Sequence, residues 1–164
     1  MDRKYAIDAN VLITSSRTFY SFEIAPSFWN QLVEKGKNKI ILIDKVRDEI
    51  YKNEDQLSLW LKENENFFII KSSADENIIK NYSLLITCVQ ENQQYKASAK
   101  SQFAEEPDFW LCAHAMTYNY MIVTQEKYEP NIKKKVKIPN VCKEFNIEYI
   151  DLFQFIKEIG IRLG

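Results

Sequence analysis

The chain has 164 residues, the length of one domain, and 46% of them are apolar, enough for a packed core and too many for a disordered polar tail. Its 22 basic and 23 acidic side chains leave a net charge of −1, which excludes capture of nucleic acid or anionic membrane by bulk positive charge. With three glycines and one histidine, the chain cannot build a glycine-rich phosphate loop, a dinucleotide fingerprint, a GxSxG elbow or a multi-histidine metal centre.

Lys4 to Asp8 (KYAID) reads as a first strand. Pro26 to Val33 carries apolar residues at helical spacing, and Gly36 is a suitable stop. Lys39 to Ile43 (KIILI) is a continuous apolar run of strand length, suited to burial on both faces. A helix capped by Asp44 follows to Lys52, then a second from Gln56 to Glu63, then a strand over Phe67 to Ile70. Ser73 or Asp75 caps a longer helix with Ile78, Ile79, Tyr82, Leu85, Ile86 and Val89 on one face. Gln90 to Ala104 is polar and carries no clear period. Pro107 opens a helix to about Asn119, Met121 to Thr124 is a fourth strand, and Pro139 starts a helix ending near Asn146. Ile147 to Ile150 is a fifth strand, and Leu152 to Ile159 closes the chain as a helix before Gly160. Strands alternating with helices predict one α/β domain over 1–164, a three-layer αβα sandwich around a parallel sheet of about five strands.

The three cysteines, Cys88, Cys112 and Cys142, are widely spaced in sequence and read as buried or idle thiols of a reducing compartment. The N-terminal stretch lacks a cleavage site, and no apolar run approaches the ~18 residues of a membrane span. The expectation is a soluble cytoplasmic protein. Its chemistry then falls to carboxylates, hydroxyls or lysines.

In open parallel sheets, ligands sit beyond the carboxyl ends of the strands. Asp8 ends the first strand inside the apolar run IDANVLI. Asp108 falls in the first turn of EEPDFWLCAHA and shares a face with Leu111, Cys112 and Ala115, so it stands at the tip of the helix face turned to the sheet. In IDKVRDEIYK, Glu49 borders the apolar face of Val46 and Ile50, whereas Asp48 points away from it. Glu126 follows the fourth strand by two residues, in IVTQEK. Each acid alone is equally an ordinary cap or loop residue. Four on one edge would repel one another unless a cation lay among them, and oxygen-only ligands suit Mg²⁺ or Mn²⁺.

IDANVLI, Glu49 in an early helix, PDFWLCAHA and IVTQEK together resemble the motifs of the PIN domain over nearly the whole chain. That family comprises metal-dependent nucleases, including VapC-like toxins of toxin–antitoxin pairs; FEIAPSFWNQL also resembles a less studied PIN branch. The resemblance implies an endoribonuclease using Mg²⁺ or Mn²⁺, with Asp8, Glu49, Asp108 and Glu126 as catalytic metal ligands. Asn10 and Thr124 match small polar positions that hold the acids in place. Glu126 is a departure, since the family usually has an aspartate two residues after the threonine. The partners it implies are RNA, an antitoxin protein and a second copy of the chain.

Lys127, Lys133, Lys134, Lys135 and Lys137 follow the expected site and are candidates for phosphate contacts, or else a solvated loop. His114 lies off the Asp108 face and is expected at the surface or against a helix. Trp29, Phe28 and Trp110 are expected in the core. A haloacid-dehalogenase-like phosphatase also begins with an acid after its first strand, but it wants a second aspartate two residues on, where this chain has Asn10. The remaining alternative is a catalytically silent PIN-fold module that binds RNA or protein.

Overall fold

A computed structural model describes residues 2–164. Five strands, β1 (Tyr5–Ile7), β2 (Ile40–Ile43), β3 (Ile69–Lys71), β4 (Met121–Val123) and β5 (Tyr149–Ile150), form one sheet in the order β3-β2-β1-β4-β5. Every pairing is parallel, with Tyr5 opposite both Ile40 and Met121. All residues of β1, β2 and β4 are buried. Successive strand residues face opposite sides of a sheet, so both faces are covered, and the expected αβα sandwich is what forms.

The strands are joined by α1 (Ala9–Arg17), α2 (Pro26–Gly36), α3 (Asp44–Tyr51), α4 (Gln56–Asn64), α5 (Glu76–Glu91), α6 (Ala97–Glu105), α7 (Pro107–Tyr118) and α8 (Ile138–Phe145), and α9 (Leu152–Ile159) follows β5. Asp75 caps α5 by accepting from the amides of Asn77 and Ile78. Asn119 and Asn146 end α7 and α8 in the left-handed conformation, which asparagine tolerates. Gly36 is the last residue of α2, and a Cβ there would lie 2.3 Å from Ile40 Cδ1, so the glycine lets the helix end lie close to β2.

Two helices are absent from the sequence reading. In α1, Val11, Ile13 and Thr14 are β-branched and mask the helical period, but Asp8 caps the helix through the Asn10 amide. In α6, only Ala99 and Phe103 are buried, too thin a stripe to give a visible period. The third strand also begins later than expected, because Glu65–Phe67 forms a 3₁₀ turn that takes up Phe67. Asp44 is the first residue inside α3 rather than its cap.

Helix α7 packs against α3, α5, α6 and α8 as well as β4. It is consequently buried on more than the one face expected: Phe109, Ala113 and His114 are enclosed along with Asp108, Leu111, Cys112 and Ala115. His114 is fully buried, which corrects the surface reading. Ser73 Oγ donates to Asp44 Oδ1 (2.5 Å), so its lone pair faces His114 Nε2 (2.9 Å), which then carries the proton. His114 Nδ1 is left without a partner, and burial pushes the imidazole down to about 4 against the pull of Asp44 and Asp75. Although burial works the other way, hydrogen bonds from Ser73 and Lys45 hold the Asp44 carboxyl below its ordinary value. The network ties the start of α3 and the segment after β3 to α7. Ser73→Ala leaves the imidazole without a hydrogen bond and should cost about 1–3 kcal/mol. Thermal unfolding checks this; an unchanged midpoint would mean that the network contributes nothing to stability.

Candidate metal centre

The strand order reverses between β1 and β4, and in such sheets the ligand crevice lies outside the strand ends at that point. Asp8 follows β1 and Thr124 follows β4, so both stand at the reversal. The Asp8 carboxylate accepts from the Asn10 amide (3.3 Å) and from Thr124 Oγ1 (3.1 Å). Asn10 thus acts through its backbone, and its own side chain is exposed. Thr124 Oγ1 also accepts from the Glu126 amide (3.2 Å), so one hydroxyl sets both the acid after β1 and the loop after β4.

Asp108 comes from a different element, the first turn of α7 after Pro107. Asp8 and Asp108 are only 3% and 4% exposed, which for carboxylates requires compensation. Burial first, and then the charge of Glu126, pushes Asp8 up to about 7 despite the two hydrogen bonds it accepts. Asp108 is pushed well above the carboxylate range by burial, by Asp8, and then by Glu126 and Glu106; only Lys135 counters. No hydrogen-bond donor is among the groups that act on it.

Glu126 is brought to the same place but has partners of its own. Its Oε1 accepts from the Ile138 amide at the start of α8 (3.0 Å), and its Oε2 pairs with Lys135 Nζ (3.2 Å). Glu49 stands to the side, half-buried, in a cleft of about 310 Å³ shared with Lys45, Lys52, Glu106 and Trp110. Burial and then Glu106 raise its carboxyl, while Lys52 opposes them. Among the described residues, no three Asp, Glu, His or Cys side chains converge closely enough to cage an ion. The donor set nevertheless fits a hard cation, since Mg²⁺ is commonly held by one or two carboxylates and keeps several waters. Asp8 and Asp108 are such a pair.

The lysines divide. Lys127 lines a cavity of about 600 Å³ beyond the ends of β4 and β5, with Glu126, Tyr128, Tyr149 and Phe153. Lys133 and Lys134 are exposed, whereas Lys135 is paired with Glu126 and Lys137 with Glu129. Sequence reasoning passed over two residues here. Glu106, the residue before α7, acts on Asp108, Glu49 and Lys135. Asn140 holds the lysine-bearing loop by bonding both the amide (3.2 Å) and the carbonyl (2.7 Å) of Glu129; only its place in the first turn of α8 could have signalled that. Trp29 and Phe28 are in the core as expected, while Trp110 is half-buried and stacks on Tyr82 (3.7 Å). Cys112 and Cys142 are buried free thiols, and the neighbouring Cys142 together with burial pushes the Cys112 thiol up.

The sheet order and covering helices define a PIN-like α/β protein. Residues 5–163 match the family described as a domain of unknown function (DUF4411), and the chain belongs to that family. No curated protein matches the chain. Among solved structures it is similar to VapBC2 from Rickettsia felis bound to a DNA fragment from their promoter, with a TM-score of 0.56 and 15% identity over 90% of this chain and 97% of that one. It is also similar to DNA-bound VapBC from Salmonella typhimurium, with a TM-score of 0.52 and 12% identity over 91% and 98% of the two chains. At these identities, the likeness is one of fold. Among the described residues, no helix is long and apolar enough to cross a membrane.

A carboxyl raised from 3.8 in the unfolded chain to about 7 in the fold holds its proton only in the fold between those values. Its contribution is therefore fully present below about pH 4 and is lost as pH rises to about 7. In chelator, Asp8→Asn should melt several degrees above wild type at pH 8, with the difference closing towards pH 5. Asparagine keeps the cap, so the comparison isolates the charge. Lower melting of the variant at pH 8 would make Asp8 a structural cap alone.

Proposed function

We propose that this chain is a metal-dependent endoribonuclease, with Mg²⁺ or Mn²⁺ on Asp8 and Asp108 and with Glu49 and Glu126 at the margins of the site. The observation that carries the reading is the pair of buried carboxylates at the strand-order reversal, where burial and mutual repulsion oppose ionisation and a cation would relieve both. A divalent ion bound there supplies a water of lowered pKa and positive charge for a phosphodiester. Thr124 and the Asn10 amide orient the Asp8 carboxylate, and Asp108 offers a carboxylate with no competing donor. Helix α7, packed on several sides, keeps Asp108 from swinging away. Exposed Lys127, Lys133 and Lys134 lie on the loop that leaves the site and suit contacts with an RNA backbone.

The fold's likeness to VapBC complexes supports reading the chain as the toxin of a toxin–antitoxin pair, with an antitoxin as its protein partner and a cytoplasmic site of action. A second reading, a PIN-fold module that binds without cutting, draws on two features: Glu126 is already engaged, and no three-acid cage forms among the described residues.

Purified wild type should cleave RNA with Mn²⁺ and not with chelator. Asp8→Asn and Asp108→Asn should each lower the rate at least ~100-fold, the upper end of what losing even an outer partner of a metal ligand costs. Binding of uncut RNA by a protein that never cleaves it, with or without Mn²⁺, would favour the silent module. Lys133→Gln and Lys134→Gln should each flatten the log–log salt dependence of RNA binding by about 0.7. Titrations at several salt concentrations measure that slope, and an unchanged one would return these lysines to the solvated loop.

A further inference from the structure

We propose that Lys135 is a built-in counter-cation of the acid cluster, so that the chain takes a single divalent ion, on Asp8 and Asp108, and leaves no place for a second beside Glu126. The inference rests on the reading of the site as metal-dependent and concerns how many ions it takes.

Both oxygens of Glu126 are occupied within the chain, one by the Ile138 amide at 3.0 Å and the other by the Lys135 ammonium at 3.2 Å. The Glu126 side chain is 14% exposed and that of Lys135 37%, so water reaches the pair chiefly from the lysine side. Chain length explains the arrangement. A glutamate carries its carboxylate one methylene further than an aspartate, which lets residue 126 reach past the acids to the start of α8 and to Lys135.

Lys135 is not a wandering surface lysine. The backbone before it is tied at two carbonyls, since the Lys96 amide donates to Lys133 O (2.9 Å) and Gln94 Nε2 donates to Ile132 O (2.8 Å). Behind it, Val136 is 1% exposed and anchors the chain in the core. The ammonium is thereby fixed beside Glu126, and its charge reaches Asp108 and Glu106 as well.

Charge balance leads to the same place. Glu126 already has the Lys135 ammonium as its partner, so Asp8 and Asp108 are the two carboxylates left for a divalent ion to neutralise. A second ion would have to displace Lys135 and strip Glu126 from the amide it caps. That no three-acid cage forms among the described residues has the same cause: the third acid is turned to its lysine.

Calorimetric titration of the whole chain with Mn²⁺ tests this, using wild type, Lys135→Met and Lys135→Arg. Wild type should take one ion per chain. Lys135→Met should bind Mn²⁺ at least about tenfold more tightly, the scale of one unit charge removed from a partly buried site, and should reveal a second binding event. Lys135→Arg keeps the charge and should behave as wild type. In chelator at pH 8, Lys135→Met should melt below wild type, because Glu126 is left unpaired among other acids. Added Mn²⁺ should then raise its melting temperature more than it raises that of wild type. Two ions on wild type, or unchanged affinity and stoichiometry in a cooperatively folded Lys135→Met, would overturn the proposal while leaving a metal-dependent site in place. Absence of Mn²⁺ binding in every form would overturn the metal reading and this inference together.

Discussion

The placement of two carboxylates out of water, at one point on the sheet's edge, is the constraint around which this molecule is arranged. A single buried acid can shed its charge by holding a proton, but two that face each other with a third nearby need donors or cations. The chain provides both sparingly. Asp8 has an amide and a hydroxyl, Glu126 has an amide and an ammonium, and Asp108 has no donor, only a share of the charge of the Lys135 that pairs with Glu126. This graded provision leaves Asp108 as the open member of the set.

The fold serves that constraint through two supports. The reversal of strand order separates the connections that leave β1 and β4, where open parallel sheets form their ligand crevice, and Asp8 and Thr124 stand at that point. Helix α7 then brings Asp108 to the crevice on a segment buried on several sides. The strands themselves are only two to four residues long, so the sheet contributes position more than bulk. Much of the packing that holds the acids is therefore helical, and the Asp44–Ser73–His114 network is one of its polar fastenings.

Much of this was legible from sequence because the governing signals are local. Apolar runs of strand length such as KIILI read as buried strands, and Pro107 and Pro139 mark helix starts without needing tertiary context. Asp8 and Asp108 could be singled out because a charge inside an apolar pattern is conspicuous. What escaped depended on the partner surface. His114 lies off the face that meets the sheet, and nothing local says that α3 and the Ser73 segment cover that other side. Lysines 135 and 137 look alike with Lys133 and Lys134 until the loop folds back and gives two of the four a carboxylate. Strand order is non-local as well, so the crevice could be inferred only as some edge of the sheet.

Asp8 closes β1, caps α1 and supplies a carboxylate, three tasks in one residue. Only the third needs a negative charge; the cap is satisfied by the oxygen of asparagine, serine or threonine. A lineage without the proposed chemistry would thus still feel selection at this position, now for a small hydrogen-bond acceptor, and would drift to Asn, Ser or Thr more readily than to an aliphatic residue. Asp108 has no such second duty as an acceptor, and its replacement would be freer. The two positions would erode along different paths, so that a silent descendant could be told from an active one by which acid had gone and what had taken its place.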